Sequence, residues 1–181
     1  MVTGDGAAGY PSRVPYDRIT ATASVRPGEL PCTWVAQIRP GGIIVTRWGP
    51  DYHNGVMSRL VVHDDGTASG HLSSNLAFMR LRAQQDTACP LDDGETGDAQ
   101  VSTTSLWVYE VVGDFSGALT VGLLVPNCHK IAESDAHDEY RHLVRVHDPT
   151  TGSWATVDVH RGGGGRPLQS ASTAHDGCGT R

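Results

Sequence analysis

The sequence predicts an α/β chain in which a parallel strand–helix–strand unit is followed by a β-rich segment of α+β character and then by a disordered tail. Three observations carry this. Two β-branched runs, residues 19–25 and 43–48, flank a stretch whose apolar residues have helical spacing. From residue 56 onward, short strand-like runs meet at turn signals built on Asp and Gly. Beyond Arg161, Gly, Ser and Thr replace almost everything apolar, and such a stretch cannot offset its chain entropy by burial.

Taken in order, Met1-Val2-Thr3 running into Gly4-Asp5-Gly6 reads as the end of a strand entering a tight loop, and residues 7–15 are small and proline-containing. Ile19–Val25 is small and β-branched, hence a strand. Leu30, Trp34, Val35 and Ile38 then fall on one helical face; Pro31 suits the first turn and Pro40-Gly41-Gly42 is expected to end the helix. Ile43–Trp48 reads as a strand buried on both faces. Ser58–His63 and Thr67–Leu72 form a hairpin across Asp64-Asp65-Gly66, and Leu76–Arg82 is expected as a third strand.

Acidic, polar residues 86–100 then read as a linker that closes a first domain at 1–85. A β-rich accessory domain follows at 101–160, with a strand at Leu106–Val112, a second hairpin joining residues 143–146 to 154–159, and the tail at 161–181. Phe115–Leu124 is ambiguous, although Asp114 is a fair N-cap for a short helix.

Composition narrows the function. Apolar residues at 38% with 22 glycines exclude disorder throughout the chain. A net charge of −6 with no basic block gives no footprint for nucleic acid or anionic lipid. No apolar run approaches the ~18 residues that a membrane span needs. Cys32, Cys89, Cys128 and Cys178 follow no metal or redox spacing, which points to a cytoplasmic protein with free thiols. Cys128-His129 with His137 and His142 invites a zinc site, but adjacent side chains rarely chelate one ion together, and no metal is expected.

The chemistry-bearing residues lie early. Gly4-Asp5-Gly6, Pro15-Tyr16-Asp17-Arg18-Ile19, Gln37-Ile38-Arg39-Pro40-Gly41-Gly42 and Val45-Thr46-Arg47-Trp48-Gly49 keep their order and spacing over residues 1–82. As a set they resemble protein-L-isoaspartate O-methyltransferases, whose pattern is a GDG turn, an APYD strand, a helix ending QLKPGG and a strand ending in VG. Phe78-Met79-Arg80-Leu81 is similar to the family's FVPL strand, with arginine in place of proline. Residues 51–55 and 64–70 resemble runs of an actinobacterial branch associated with peptide maturation, and residues 101–160 resemble that branch's additional C-terminal domain.

The resemblance implies the C-terminal part of a Rossmann-like class I methyltransferase sheet. It also implies S-adenosylmethionine as methyl donor and a peptide or protein (iso)aspartyl carboxylate as acceptor. Such enzymes carry a glycine-rich cofactor turn and an acid on two earlier strands; neither precedes Gly4, so dependence on a missing N-terminal segment is expected.

By position, Asp5 and Gly6 would face the adenine, Thr22 and Ala23 would line the methyl-transfer region, and Ser24, Tyr52, His53, Asn54 and Arg82 would face substrate. No catalytic residue is assigned, because a carboxylate is already a nucleophile at neutral pH and needs no general base. A non-catalytic peptide-binding module is the alternative, and Arg80 and Arg82, as edge-strand arginines, are expected in solvent more than on a substrate carboxylate.

Overall fold

A computed structural model describes residues 2–85, 100–102, 111–134, 141–160 and 169–174. The chain forms two compact units, one of Met1–Pro50 with Asn54–Thr87 and the other of Asp51–His53 with Ala88–Arg181.

The first unit is a four-stranded sheet of β1 (Tyr16–Val25), β2 (Ile38–Trp48), β3 (Val56–Val62) and β4 (Ala68–Asn75), in that order across the sheet, with the short helix α1 (Cys32–Ala36) between β1 and β2. β1 and β2 are parallel, with Ile19 beside Ile44 and Val25 beside Trp48. The β2/β3 and β3/β4 pairs are antiparallel, and β3 and β4 close through the expected Asp64-Asp65-Gly66 turn. The core is Val25, Trp34, Ile38, Ile44, Val62 and Leu81, and each fully buried aliphatic or aromatic side chain is worth about 1.5–3 kcal/mol.

Two elements differ from the sequence reading. The helix expected to run from Leu30 to Ile38 has only five residues, because Ile38 pairs with Tyr16 as the first residue of β2 and the Gln37 carbonyl accepts the Tyr16 N–H at 2.8 Å. Strand pairing prevails over a helix already weakened by β-branched Thr33 and Val35. Pro40-Gly41-Gly42 therefore lies inside β2 rather than ending a helix. Between Tyr16/Ile38 and Arg18/Ile43 the register jumps, so these residues loop out as a bulge in which Pro40 needs no donor for the ladder.

The third expected strand, Leu76–Arg82, contributes a single parallel bridge, Arg80 beside Ser24, before Arg82–Gln84 turns into a 3-10 helix. Met79 accepts the Ser24 N–H and Leu81 donates to the Ser24 carbonyl, both at 2.9 Å. Within the sheet, β1 remains an edge strand.

The second unit is a five-stranded antiparallel sheet ordered β5 (Gln100–Ser102), β9 (Gln169–Ala174), β8 (Ser153–His160), β7 (Arg141–Asp148) and β6 (His129–Ser134). The hairpin expected around Asp148–Gly152 is β7/β8, with Val144 beside Val157. Phe115–Leu124 is a helix, α2, and Asp114 caps it by accepting the Gly117 N–H at 2.9 Å. Of the strand expected at Leu106–Val112, residues 106–110 lie outside the described residues, and Val111 and Val112 are helical.

Gln169–Ala174, inside the stretch expected to be disordered, is β9, paired on both sides by β8 and β5. A run of Ser, Thr and Ala has no core of its own to build, but backbone ladders on two sides need only N–H and C=O groups. Residues 161–168, 175–181 and most of the expected linker (86–99) lie outside the described residues. Among the described residues, no helix is long and apolar enough to cross a membrane.

Candidate functional site

β1 builds the site. Its residues Arg18–Ala23 run along a groove of about 480 Å³, within the 300–1,000 Å³ range of small-molecule sites. Gly6, Thr22 and Ala23 line this groove together with Tyr10, Trp34 and Leu81. Three of the four residues expected to meet a cofactor thus line one groove, Thr22 and Ala23 from the edge strand β1 and Gly6 from the loop that faces it. Thr22 is exposed, while Ala23 is half-buried and packs on the core.

The fourth, Asp5, is exposed beside the groove and shapes its wall. It is the N-cap of a one-turn 3-10 helix, Gly6–Ala8, and its Oδ1 accepts the Ala7 N–H at 3.0 Å. This short capped turn places the bare backbone of Gly6 against the groove, and a Cβ at Gly6 would meet nothing within 4 Å.

Ser24 lies deeper than its neighbours on β1. It is fully buried, and its hydroxyl accepts from the guanidinium groups of both Arg47 and Arg80. Arg47, only 6% exposed, also donates Nε–H to the carbonyls of Asn54 and Leu76, and Arg80 donates to the Gly49 carbonyl at 2.9 Å. The neck of the β2–β3 connection is drawn tight here: a Cβ on Gly49 would stand 2.5 Å from the Gly55 Cα. Asn54 and Arg82 are exposed, Arg82 on the 3-10 turn after Leu81.

Tyr52 and His53 belong to the second unit. Tyr52 is 2% exposed and packs with Ala118 and Cys128; its hydroxyl donates to the Val111 carbonyl at 3.3 Å, and the Lys130 ammonium sits 4.9 Å from its ring centroid. His53 meets the Phe115 ring edge-on at 4.9 Å.

Burial, with a smaller contribution from the Cys128 thiolate, pushes the Tyr52 hydroxyl up to about 12. A raised pKa means that the folded state holds its proton longer than the unfolded chain, so this stability is intact below pH about 10 and is lost as pH climbs toward 12. Tyr52→Phe is expected to cost about 1 kcal/mol near pH 8 through the lost hydrogen bond. Denaturant titrations of both proteins from pH 8 to 11.5 should show that cost shrinking above pH 10; a constant difference would refute the assignment.

Sequence reasoning missed three groove residues as a group, Tyr10, Trp34 and Gln37, because the helical pattern marks Trp34 only as core. It also missed Arg47, although a charge inside the β-branched run Ile43–Trp48 was a signal in itself: a buried strand keeps an arginine only where acceptors await it.

Residues 1–86 match the family model of Protein-L-isoaspartate(D-aspartate) O-methyltransferase. Among individual relatives, a protein-L-isoaspartate O-methyltransferase of Azorhizobium caulinodans is 48% identical over 46 residues, which is 25% of this chain and 20% of that protein. The enzyme of that name from Pyrococcus horikoshii is 30% identical over 81 residues, 45% of this chain and 36% of the relative. That of Myxococcus xanthus is 29% identical over 91 residues, 50% and 41% respectively. The chain thus spans about a fifth to two fifths of the length of these curated relatives. Its first 86 residues are protein-L-isoaspartate O-methyltransferase-like.

Proposed function

We propose that residues 1–86 form one wall of an S-adenosylmethionine-dependent carboxyl O-methyltransferase site of the protein-L-isoaspartate type. The observation that carries this reading is the convergence of Gly6, Thr22 and Ala23 on one groove that follows the open edge of β1 toward its carboxyl end, and open α/β sheets take their ligands at the carboxyl ends of parallel strands. The residues suit an adenosyl group. One Asp5 oxygen is committed to the Ala7 N–H, leaving the other to accept from an exocyclic amine, and side-chain-free Gly6 admits a flat base. Thr22 and Ala23 line the reacting end.

When bound, S-adenosylmethionine supplies an electrophilic methyl group. The acceptor is the (iso)aspartyl carboxylate of a peptide or protein, ionised at neutral pH, so the chain's own contribution is positioning and exclusion of water. Exposed Asn54 and Arg82 are the residues offered to the peptide, while buried Ser24 sets the shape of the β1 tip from beneath. Following the branch resemblance, the substrate is a ribosomally made peptide undergoing maturation. The compartment is the cytoplasm, where thiols such as those of Cys32 and Cys128 stay reduced. The open edge of β1 is where a further segment would complete the cofactor site.

Calorimetry with S-adenosylhomocysteine tests this. The full chain, which supplies one wall of the site, is expected to bind weakly, and Asp5→Asn, which keeps an oxygen for the Ala7 N–H but turns an amide toward the ligand, should weaken binding about tenfold further. Binding of an aspartyl peptide without any response to the nucleotide would instead favour a non-catalytic interaction module.

A further inference from the structure

The groove's second wall is held by an arrangement that the family pattern does not describe. Three consecutive backbone carbonyls, those of Gly6, Ala7 and Ala8, each accept a hydrogen bond from a different side chain at α1. Trp34 Nε1–H donates to Gly6 at 2.8 Å, the Thr33 hydroxyl donates to Ala7, and Gln37 Nε2–H donates to Ala8 at 2.8 Å. Gln37 also closes the other end of the loop, its Oε1 accepting the Tyr10 N–H at 2.9 Å. The loop's own backbone bonds, Ala8 to Asp5 and Gly9 to Gly6, are both 3.2 Å, the loose geometry of a single 3-10 turn. Such a turn has little stability by itself.

We infer that Gln37 is a positioning residue: its amide, bridging the Ala8 carbonyl and the Tyr10 N–H, fixes the Gly6–Tyr10 loop in the shape that lines the ligand groove. Three features support this role. Gln37 is 9% exposed, and both ends of its amide are spent on that one loop. Gly9 has φ +64°, and a Cβ there would overlap the Gln37 amide, so loop and glutamine fit only each other. The Gln37 side chain also stands outside the apolar core that holds Trp34, so the sheet, which uses only the Gln37 backbone carbonyl, does not depend on it. The effect on ligand rests on the proposed function; the effect on the loop does not.

Gln37→Glu in the full chain provides the test. At pH 8 the carboxylate still accepts from Tyr10 but has lost its donor and faces the Ala8 carbonyl with a charge. Burial beside the Ala8 carbonyl should raise this carboxyl above its usual value of about 4.3, so that at pH 5 much of it is protonated and again presents one O–H and one C=O. Binding of S-adenosylhomocysteine is therefore expected to fall about tenfold at pH 8 and return to within about threefold of wild type at pH 5, with wild type at both pH values as reference. Gln37→Ala should bind weakly at both. Wild-type affinity of Gln37→Glu at pH 8, or of Gln37→Ala at either pH, would overturn the inference.

A readout without ligand separates this from the functional reading. Hydrogen exchange of the Tyr10 amide should accelerate about tenfold in Gln37→Ala while the melting temperature barely moves. If wild type fails to bind the nucleotide, the methyltransferase proposal falls, and Tyr10 exchange alone decides the positioning role: acceleration upholds it and unchanged exchange rejects it.

Discussion

Replacing Arg47 with methionine should lower the unfolding free energy by about 3–5 kcal/mol, since each buried polar group left without its partner costs about 1–3 kcal/mol. Methionine keeps most of the apolar stem and removes the guanidinium. The carbonyls of Asn54 and Leu76 then lose this donor at a place that is 6% exposed, and the hydroxyl of Ser24 keeps Arg80 as a donor. The damage should be local first, because these acceptors gather the β2–β3 neck, the segment after β4 and the tip of β1. Gly55, with φ +84° and room for a Cβ only 2.9 Å from the Arg47 Nε, shows how closely the chain is drawn around that side chain. Lysine is not an equivalent replacement: one ammonium on a flexible stem cannot reach in three fixed directions, so Arg47→Lys should recover less than half of the loss. Urea denaturation midpoints of wild type, Arg47→Met and Arg47→Lys provide the measurement, and a loss below 1 kcal/mol for methionine would mean that the guanidinium is dispensable.

The parallel pair and the β3/β4 hairpin were legible because β-branched runs and an Asp-Gly turn act locally, and the tertiary fold agrees with them. The helix was overextended for the opposite reason. Periodicity places Leu30, Trp34 and Ile38 on one face, but Ile38 gains more as the first paired residue of β2 than as a last helical turn. Pro40-Gly41-Gly42 misled in the same way, since a helix stop and a β-bulge call for the same residues. β9 was illegible because composition reports what a segment can bury and is silent about two neighbouring strands that offer it hydrogen bonds.

The site was legible where chemistry and chain order coincide. Gly4-Asp5-Gly6 and the end of β1 carry recognisable residue types, and Gly6, Thr22 and Ala23 meet in the groove. Ser24, one residue further, lies at the point where the Met79–Leu81 segment crosses, and is sealed by it. That depth depends on a contact between residues more than fifty positions apart. The same holds for Gln37, whose partners lie 27 and 29 residues upstream. A pattern of apolar spacing has no means of reporting a polar side chain that folds back on an earlier loop.

Trp34→Ala should be the other severe change, costing about 3–5 kcal/mol, as buried aromatic truncations do. Trp34 is 3% exposed, sits in the core with Val25, Ile38 and Ile44, and in the same position donates to the Gly6 carbonyl. Two roles are therefore lost together, and Trp34→Phe separates them. Phenylalanine fills most of the volume but has no N–H, so it should cost less, with about 1 kcal/mol of that attributable to the Gly6 hydrogen bond. If Trp34 serves mainly as packing, Phe should restore both the denaturation midpoint and protection of the loop amides from exchange. If the indole N–H fixes the loop, Phe should restore the midpoint to within about 1 kcal/mol of wild type while the Ala8 and Gly9 amides still exchange faster than in wild type. The second result is expected, because the Gly6 carbonyl is the first of the three held by α1, and its release loosens the turn from its amino end.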